Sequence, residues 1–257
     1  MTEYGYINLL GRTDGIKCAH LNVNGLLSKL EEVRLLLNDK KIDILAISET
    51  HLHPNVKDVE FNIPNYTFVR KDRMGKGNNW GEVLLFHCCS INMYEVDIDN
   101  NHDTGSTEIL WMEASLQSLK LLIGTVYRPP NDKHFIKLLE PSLHKLSHRA
   151  NVILLGDFNI DVADNKPLSS AAILLRSVMS SHNFTNIIKD PTGITCRSCT
   201  LIDHIYVTNT SRVSNRGSFD SWISDHNLVF TTYNLKSKKN PPKSITIKDY
   251  KNINMVI

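Results

Sequence analysis

Apolar runs that stop abruptly in polar clusters recur along the chain. The first, "IKCAHLNV" at 16–23, reads as a strand and leads into Asn24 and Gly25. Behind it, "SKLEEVRLLLND" carries Leu30, Val33, Leu36 and Leu37 as one stripe at helical spacing, and Ser28 with Glu31 has the capping-box pattern, so a helix follows. "IDILAIS" at 42–48 is a second apolar strand, ending in "ETHLH". Further strands are expected at "EVLLFHC", "EILWMEASL" and "KLLIGTVY", the last two parted only by "QS", which predicts a hairpin. After "RPPND" come a helix near 132–148, the strand "NVILLGDFN" from Asn151, a helix near 168–182, and the strands "LIDHIYVTN" and "SDHNLVFTTYNL". Strands alternating with helices, mixed with hairpins, indicate an α/β protein with mixed sheets. Residues 1–14 show no clear period, and from Ser237 the composition turns to Lys, Asn and Pro. The expected division is an N-terminal extension at 1–15, one domain at 16–236, and at 237–257 a basic linker opening a missing C-terminal region.

Polar residues at the ends of these strands carry the candidate chemistry. In "LLGDFNIDV", alternation along a strand places Asp157 and Asn159 on the same side, facing one spot. Taken alone, the pair reads equally well as an Asx turn. In α/β sheets, however, sites gather at the carboxyl ends of strands. Asn22, Asn24, Glu49, Tyr127, Asp157, Asn159, Asp203, Asp225 and His226 all fall there, and nearly all are oxygen donors. Such a set suits Mg²⁺, with Mn²⁺ as the other choice, and argues against zinc. A hard cation stabilises charge on a phosphate, and a remaining carboxylate can activate water. Metal-assisted phosphodiester hydrolysis is the reaction class these residues fit.

Composition narrows the setting more than the function. A chain of 257 residues can form one large α/β domain, and its 41% hydrophobic and 22% charged content is ordinary for a globular protein. No apolar run approaches the roughly 18 residues a membrane span needs, and "MTEYGYINLLGRTDG" lacks the features of a secretory signal. An intracellular protein is expected, with five cysteines reduced rather than paired. A net charge of +2 implies no nucleic-acid partner by itself, although "RKDRMGKG" and "KSKKNPPK" could either meet a phosphate backbone or be solvated segments. "CRSC" reads as a loop with free thiols, and "HLH" as a loop after Glu49. Trp80, Trp111 and Trp222 read as packing residues, with Trp222 near enough to "SDH" to approach DNA.

As an ordered set, "LNVNGL", "SET", "YRPP", "GDFN", "IDHI" and "SDH" resemble the endonuclease/exonuclease/phosphatase superfamily, which includes DNase I and the apurinic/apyrimidinic endonucleases. More narrowly, "VYRPPN", "PTGITCRSCTLIDHIYVTN" and "IKDYKNIN" resemble the endonuclease domain of jockey-type non-LTR retrotransposons. The resemblance implies a four-layer α/β sandwich, two mixed β-sheets face to face with helices outside. It implies Mg²⁺-dependent nicking of double-stranded DNA by a monomeric domain, in the nucleus at the time of action, with the new 3′-hydroxyl priming a reverse transcriptase that a full-length relative carries. Glu49 matches the principal metal ligand, with Asn22 beside it and Asp225 as a further ligand or its orienter. Asp157 matches the water-activating base, Asn159 the amide that positions water and phosphate, and Tyr127 the phosphate-contacting tyrosine. His226 matches the histidine on the scissile phosphate, with Asp203 holding its other ring nitrogen. Gly193 stands where this branch has an arginine, and Asn24 where repair endonucleases have an aspartate. Two rival readings remain: a same-fold abasic-site nuclease, deadenylase or phosphoinositide phosphatase, and an inactive remnant that binds DNA without cutting.

Overall fold

The computed structural model describes residues 14–38, 42–52, 55–71, 83–98, 108–116, 119–195 and 198–234. The basic stretch beyond Lys71, Trp80, His53, Cys196 and the segment from Ser237 lie outside them.

Two six-stranded mixed sheets carry the fold. In the first, β1 (Ile16–Asn22) runs parallel to β2 (Ile44–Ser48), and antiparallel neighbours extend it on both sides. These are β4 (Val83–Cys88) and β3 (Tyr66–Lys71) beyond β2, and β14 (Leu228–Tyr233) and β13 (Val213–Phe219) beyond β1. The second sheet is built around the parallel pair β7 (Leu119–Tyr127) and β8 (Val152–Asp157). β6 (Glu108–Leu116) and β5 (Asn92–Glu95) flank β7, while β12 (Asp203–Val207) and the short β9 (Thr185–Asn186) flank β8. A two-stranded ribbon joins β10 (Gly193–Ile194) and β11 (Cys199–Thr200). The expected hairpin is the β6–β7 pair, with Leu116 opposite Leu119.

Helices cover the outer faces. α1 (Leu30–Asn38) buries Leu30, Val33 and Leu37 against Ala19, Leu21, Leu45, Ile47, Leu84 and Phe86. The alternate residues of the same strands, Ile16, Cys18, Ile44, Ala46, Val83 and Leu85, face the other sheet. α2 (Phe135–Leu146) and α3 (Ser170–Ser181) pack on the far side of the second sheet. The architecture is therefore the four-layer α/β sandwich. Ser169 caps α3 by accepting from the Ala172 N–H at 3.1 Å. α1 begins differently from expectation: a 3₁₀ turn at Leu27–Lys29 precedes it, Ser28 donates its hydroxyl to Gly25 O, and Glu31 takes Arg34 instead of closing a capping box. Among the described residues, no helix is long and apolar enough to cross a membrane.

Distant from the polar ends of the sheets, one buried carboxylate is held by three donors. Glu113 on β6, 3% exposed, accepts from Lys120 at 2.6 Å, from Arg149 at 2.7 Å and from the Tyr94 hydroxyl. Burial would raise its pKa, but these bonds outweigh burial and hold the carboxyl down at about 2. Its stabilising effect is therefore complete above the ordinary glutamate range and is lost as pH falls from about 4.5 towards 2. Glu113→Gln is expected to cost about 1–2 kcal/mol at pH 7, a modest value because Lys120 and Arg149 are 66% and 44% exposed. Urea midpoints of both proteins between pH 7 and pH 3 should converge on acidification, and a gap that stays constant contradicts the assignment.

Candidate active site

Because both parallel pairs end at the same edge of the sandwich, their last residues lie side by side. Asn22 is the register partner of Ser48, and Tyr127 that of Asp157. β12 runs the other way, so its first residue, Asp203, lies opposite Asp157. Facing residues on the inner side thus change from apolar to polar towards this edge: Ile16, Cys18, His20, Asn22 on β1, and Ile153, Leu155, Asp157 on β8. The sheets then meet through a hydrogen bond, Asn22 Nδ2 donating to Asp157 Oδ2 at 2.9 Å.

Asp157 ends β8, and the chain turns sharply behind it. At Gly156 a Cβ would come within 1.9 Å of the Val126 carbonyl oxygen, so only glycine lets the strands close up beside the carboxylate. Asn159 lies beyond the strand in the left-handed region, at φ 47°, which asparagine tolerates. Strand alternation therefore does not set its direction. A turn brings it back instead: Asn159 N donates to Asp157 Oδ1 at 2.8 Å, and its Nδ2 to Asp157 Oδ2 at 3.1 Å and Arg128 O at 2.8 Å. The Asx turn and the convergent pair are thus one structure. Arg128, only 7% exposed, clamps this turn through Phe158 O and Asn159 O while its Nε and Nη2 donate to Asp132 O.

Asp203 is fully buried and accepts from His226 Nδ1 at 2.9 Å. The Ser224–His226 loop is pinned to the first sheet, because the Ser224 hydroxyl donates to Asn22 O at 2.5 Å and accepts from His226 N at 3.1 Å. Gly193 forms an isolated bridge with His226, and a Cβ there would stand 2.7 Å from Thr200 Oγ1. Burial works against a charged His226 ring, but the bond to Asp203 and the charges of Asp203, Asp157 and Asp225 push it up to about 9. Burial would likewise raise Asp203, yet His226, His20 and the Thr192 hydroxyl hold it below the usual range. Asp157 goes the other way: burial first, and then the neighbouring Asp203 charge, raise it despite His226, Asn22 and Asn159 N. The two carboxylates are driven apart in proton affinity, the pattern that assigns one as a fixed anion and the other as a group able to take up a proton.

Asp157, Asp203 and His226 offer ligand atoms all within 4.8 Å of one another. That trio differs from the metal set expected from the sequence. Glu49, at φ 51°, has a carboxylate partly open to solvent, with His51 Nε2 at 3.9 Å, and Asp225 is exposed. Asn22 joins Asp157, while its Oδ1 accepts from Asn24 N at 3.0 Å. Tyr127, 6% exposed, sits beside Asp157 in the β7–β8 register. Trp111 is buried as expected of a packing residue, but Trp222 is 74% exposed with φ 60°, close in sequence to Ser224. Sequence reading passed over His20, Thr192 and Arg128. For His20 the available signal was its shared strand face with Asn22, and for Arg128 its place inside "YRPP".

No curated protein matches the chain. Among solved structures, the endonuclease domain of TRAS1, a telomere-specific non-LTR retrotransposon, is similar with a TM-score of 0.69 at 13% identity, over 86% of this chain and 100% of that one. The AP endonuclease LMAP from Leishmania major gives 0.68 at 15%, over 85% and 87%. The 3′-5′ exonuclease NExo from Neisseria meningitidis gives 0.67 at 17%, over 85% and 100%. These likenesses agree on the fold. A family model matches residues 19–226, the span that holds every site residue described above, and the chain belongs to the endonuclease/exonuclease/phosphatase family.

Proposed function

We propose that the chain is a divalent-metal-dependent phosphodiesterase that nicks double-stranded DNA, as an endonuclease domain of non-LTR retrotransposon type. The observation that carries this reading is the buried Asp157 carboxylate, raised in proton affinity and set beside the Asp203–His226 pair. Asp157 takes a proton from the attacking water. Both Nδ2 contacts of Asn159 are directed at Asp157 and Arg128, which leaves its Oδ1 to hold that water. His226, positively charged at neutral pH and tied down through Nδ1, presents Nε2 to the phosphate, with Tyr127 alongside. The new bond joins water oxygen to phosphorus and the P–O3′ bond breaks, the leaving O3′ taking a proton from solvent to become the 3′-hydroxyl a reverse transcriptase can extend.

Glu49 fits a hard cation: a partly open carboxylate whose nearest ion-pair partner among the described residues is a histidine at 3.9 Å. Asn22 Oδ1 keeps a second lone pair beside its bond from Asn24, and the exposed Asp225 adds a further oxygen. We assign the ion to Glu49, Asn22 and Asp225, and when bound it stabilises charge on the phosphate oxygens. The exposed Trp222 supplies a face on which a base can stack.

Purified protein is expected to convert supercoiled plasmid to open circles with Mg²⁺ and to stop when EDTA is added. Equal activity in EDTA overturns the metal assignment. Phosphate released from a phosphoinositide, or trimming from a 3′ end, without nicking would favour another activity of the same fold.

The Asp203–His226 pair makes a separate prediction. Asp203→Asn should impair nicking about as much as His226→Ala, with the double variant little worse than either, since residues acting as a unit are non-additive. Rates and thermal midpoints of the four proteins check this. Multiplicative losses, or an Asp203→Asn protein that is fully active but less stable, remove the pair from the mechanism.

A further inference from the structure

Behind the Asp203–His226 pair lies a second histidine. His20 belongs to β1 of the first sheet, is fully buried, and crosses the sandwich to Asp203 on β12 of the second. Its Nε2 meets the Ser48 hydroxyl of β2 at 3.0 Å, and its Nδ1 stands 3.5 Å from Asp203 Oδ1. His20 Nδ1 and Asp203 Oδ1 are both buried without a conventional hydrogen bond, and they face each other. Buried polar atoms are rarely left so, and a pair this close needs only a few tenths of an ångström to satisfy both. A neutral imidazole has one N–H. If Nε2 accepts from Ser48, the proton is on Nδ1 and points at Asp203. The other groups on this carboxylate are His226 at Oδ2 and the Thr192 hydroxyl.

We propose that His20 is a positioning residue for His226, acting through Asp203: Ser48 fixes the His20 ring, His20 holds Asp203 Oδ1, and Oδ2 is thereby aimed at His226 Nδ1. The proposal rests on the reading of His226 as the phosphate-contacting group. Its physical logic is that of outer partners generally. A carboxylate that orients a histidine must itself be oriented, and loss of such a partner costs roughly 10- to 100-fold in activity. The first sheet thereby contributes to the direction of His226 without touching substrate.

Two near-isosteric variants separate positioning from packing. In His20→Asn the amide Nδ2 falls near the position of Nδ1 and can still donate to Asp203. In His20→Gln the amide reaches towards Ser48 instead. The first readout, in metal-free protein, is the side-chain Nδ1–H resonance of His226 by ¹H–¹⁵N NMR, which reports the bond to Asp203. It should shift and broaden in His20→Gln and His20→Ala, and be restored in part in His20→Asn. The second readout is nicking: kcat should fall roughly 10- to 100-fold in His20→Gln with KM little changed, and recover partly in His20→Asn. An unchanged His226 resonance in His20→Gln and His20→Ala overturns the proposal. So does an equal loss in Asn and Gln variants that follows their thermal midpoints. If the wild type does not nick at all, the proposed activity fails, while the NMR comparison still decides whether His20 holds the dyad.

Discussion

Asp157 and Asp203 stand directly opposite each other in the β8–β12 pair, both without solvent exposure, and the rest of the site follows from that juxtaposition. Like charges facing each other across a sheet are destabilising. At the 4.8 Å that bounds this cluster, two full charges in an effective dielectric of about 20 repel by about 3–4 kcal/mol, before either desolvation cost is counted. The fold answers asymmetrically. Asp203 receives His226, His20 and Thr192 and stays an anion, whereas Asp157 receives neutral donors from Asn22 and Asn159 and is raised. A stability problem is resolved into a division of labour between two carboxylates.

Neither sheet makes this site alone. The second sheet brings Tyr127, Asp157 and Asp203 into one row across β7, β8 and β12. The first sheet supplies the neutral donor Asn22, the His20 ring and, through Asn22 O, the anchor for the Ser224–His226 loop. The inner layer of the sandwich is thus an apolar core over most of its length and a polar network at one edge. Such networks are costly when half satisfied and rigid when complete. That rigidity is what the proposed contact of His226 with a phosphate needs.

Much of this was legible in the sequence, for identifiable reasons. Central strands are buried on both faces and appear as continuous apolar runs, so β1, β2, β4, β6, β7, β8, β12 and β14 could be read directly. β3 ("YTFVRK"), β5 ("NMYE") and β13 ("VSNRGSF") could not, because they are outer strands of their sheets whose half-exposed, charged residues erase the pattern. Asp157 and Asn159 were found as polar residues where the apolar strand β8 ends, and the structure brings them together with Asp203 and His226. For those two the expected place at a strand's carboxyl end is wrong: Asp203 opens β12 and His226 precedes β14, and they reach the same edge because β12 and β14 run antiparallel to β8 and β1. Direction was harder: Asn159 turns back through a left-handed residue rather than by strand alternation, and Ser28 falls inside a 3₁₀ turn. His20 and Arg128 escaped because each has meaning only across the sandwich or across a loop. In the sequence alone, one is a polar residue within an apolar strand and the other a cation beside prolines.

The central claim is that Asp157 is kept in an electrostatically unfavourable place because the chemistry needs it there. Asp157→Asn removes one of two facing carboxylates and nearly preserves shape. The decisive comparison is nicking rate together with the thermal midpoint in EDTA, for wild type and Asp157→Asn side by side. The account predicts a rate loss of about 10²- to 10⁴-fold, the range for losing a general base, with a midpoint equal to or above that of the wild type. A variant that nicks within a few-fold of wild type, or one that loses activity only in proportion to a lowered midpoint, would contradict it.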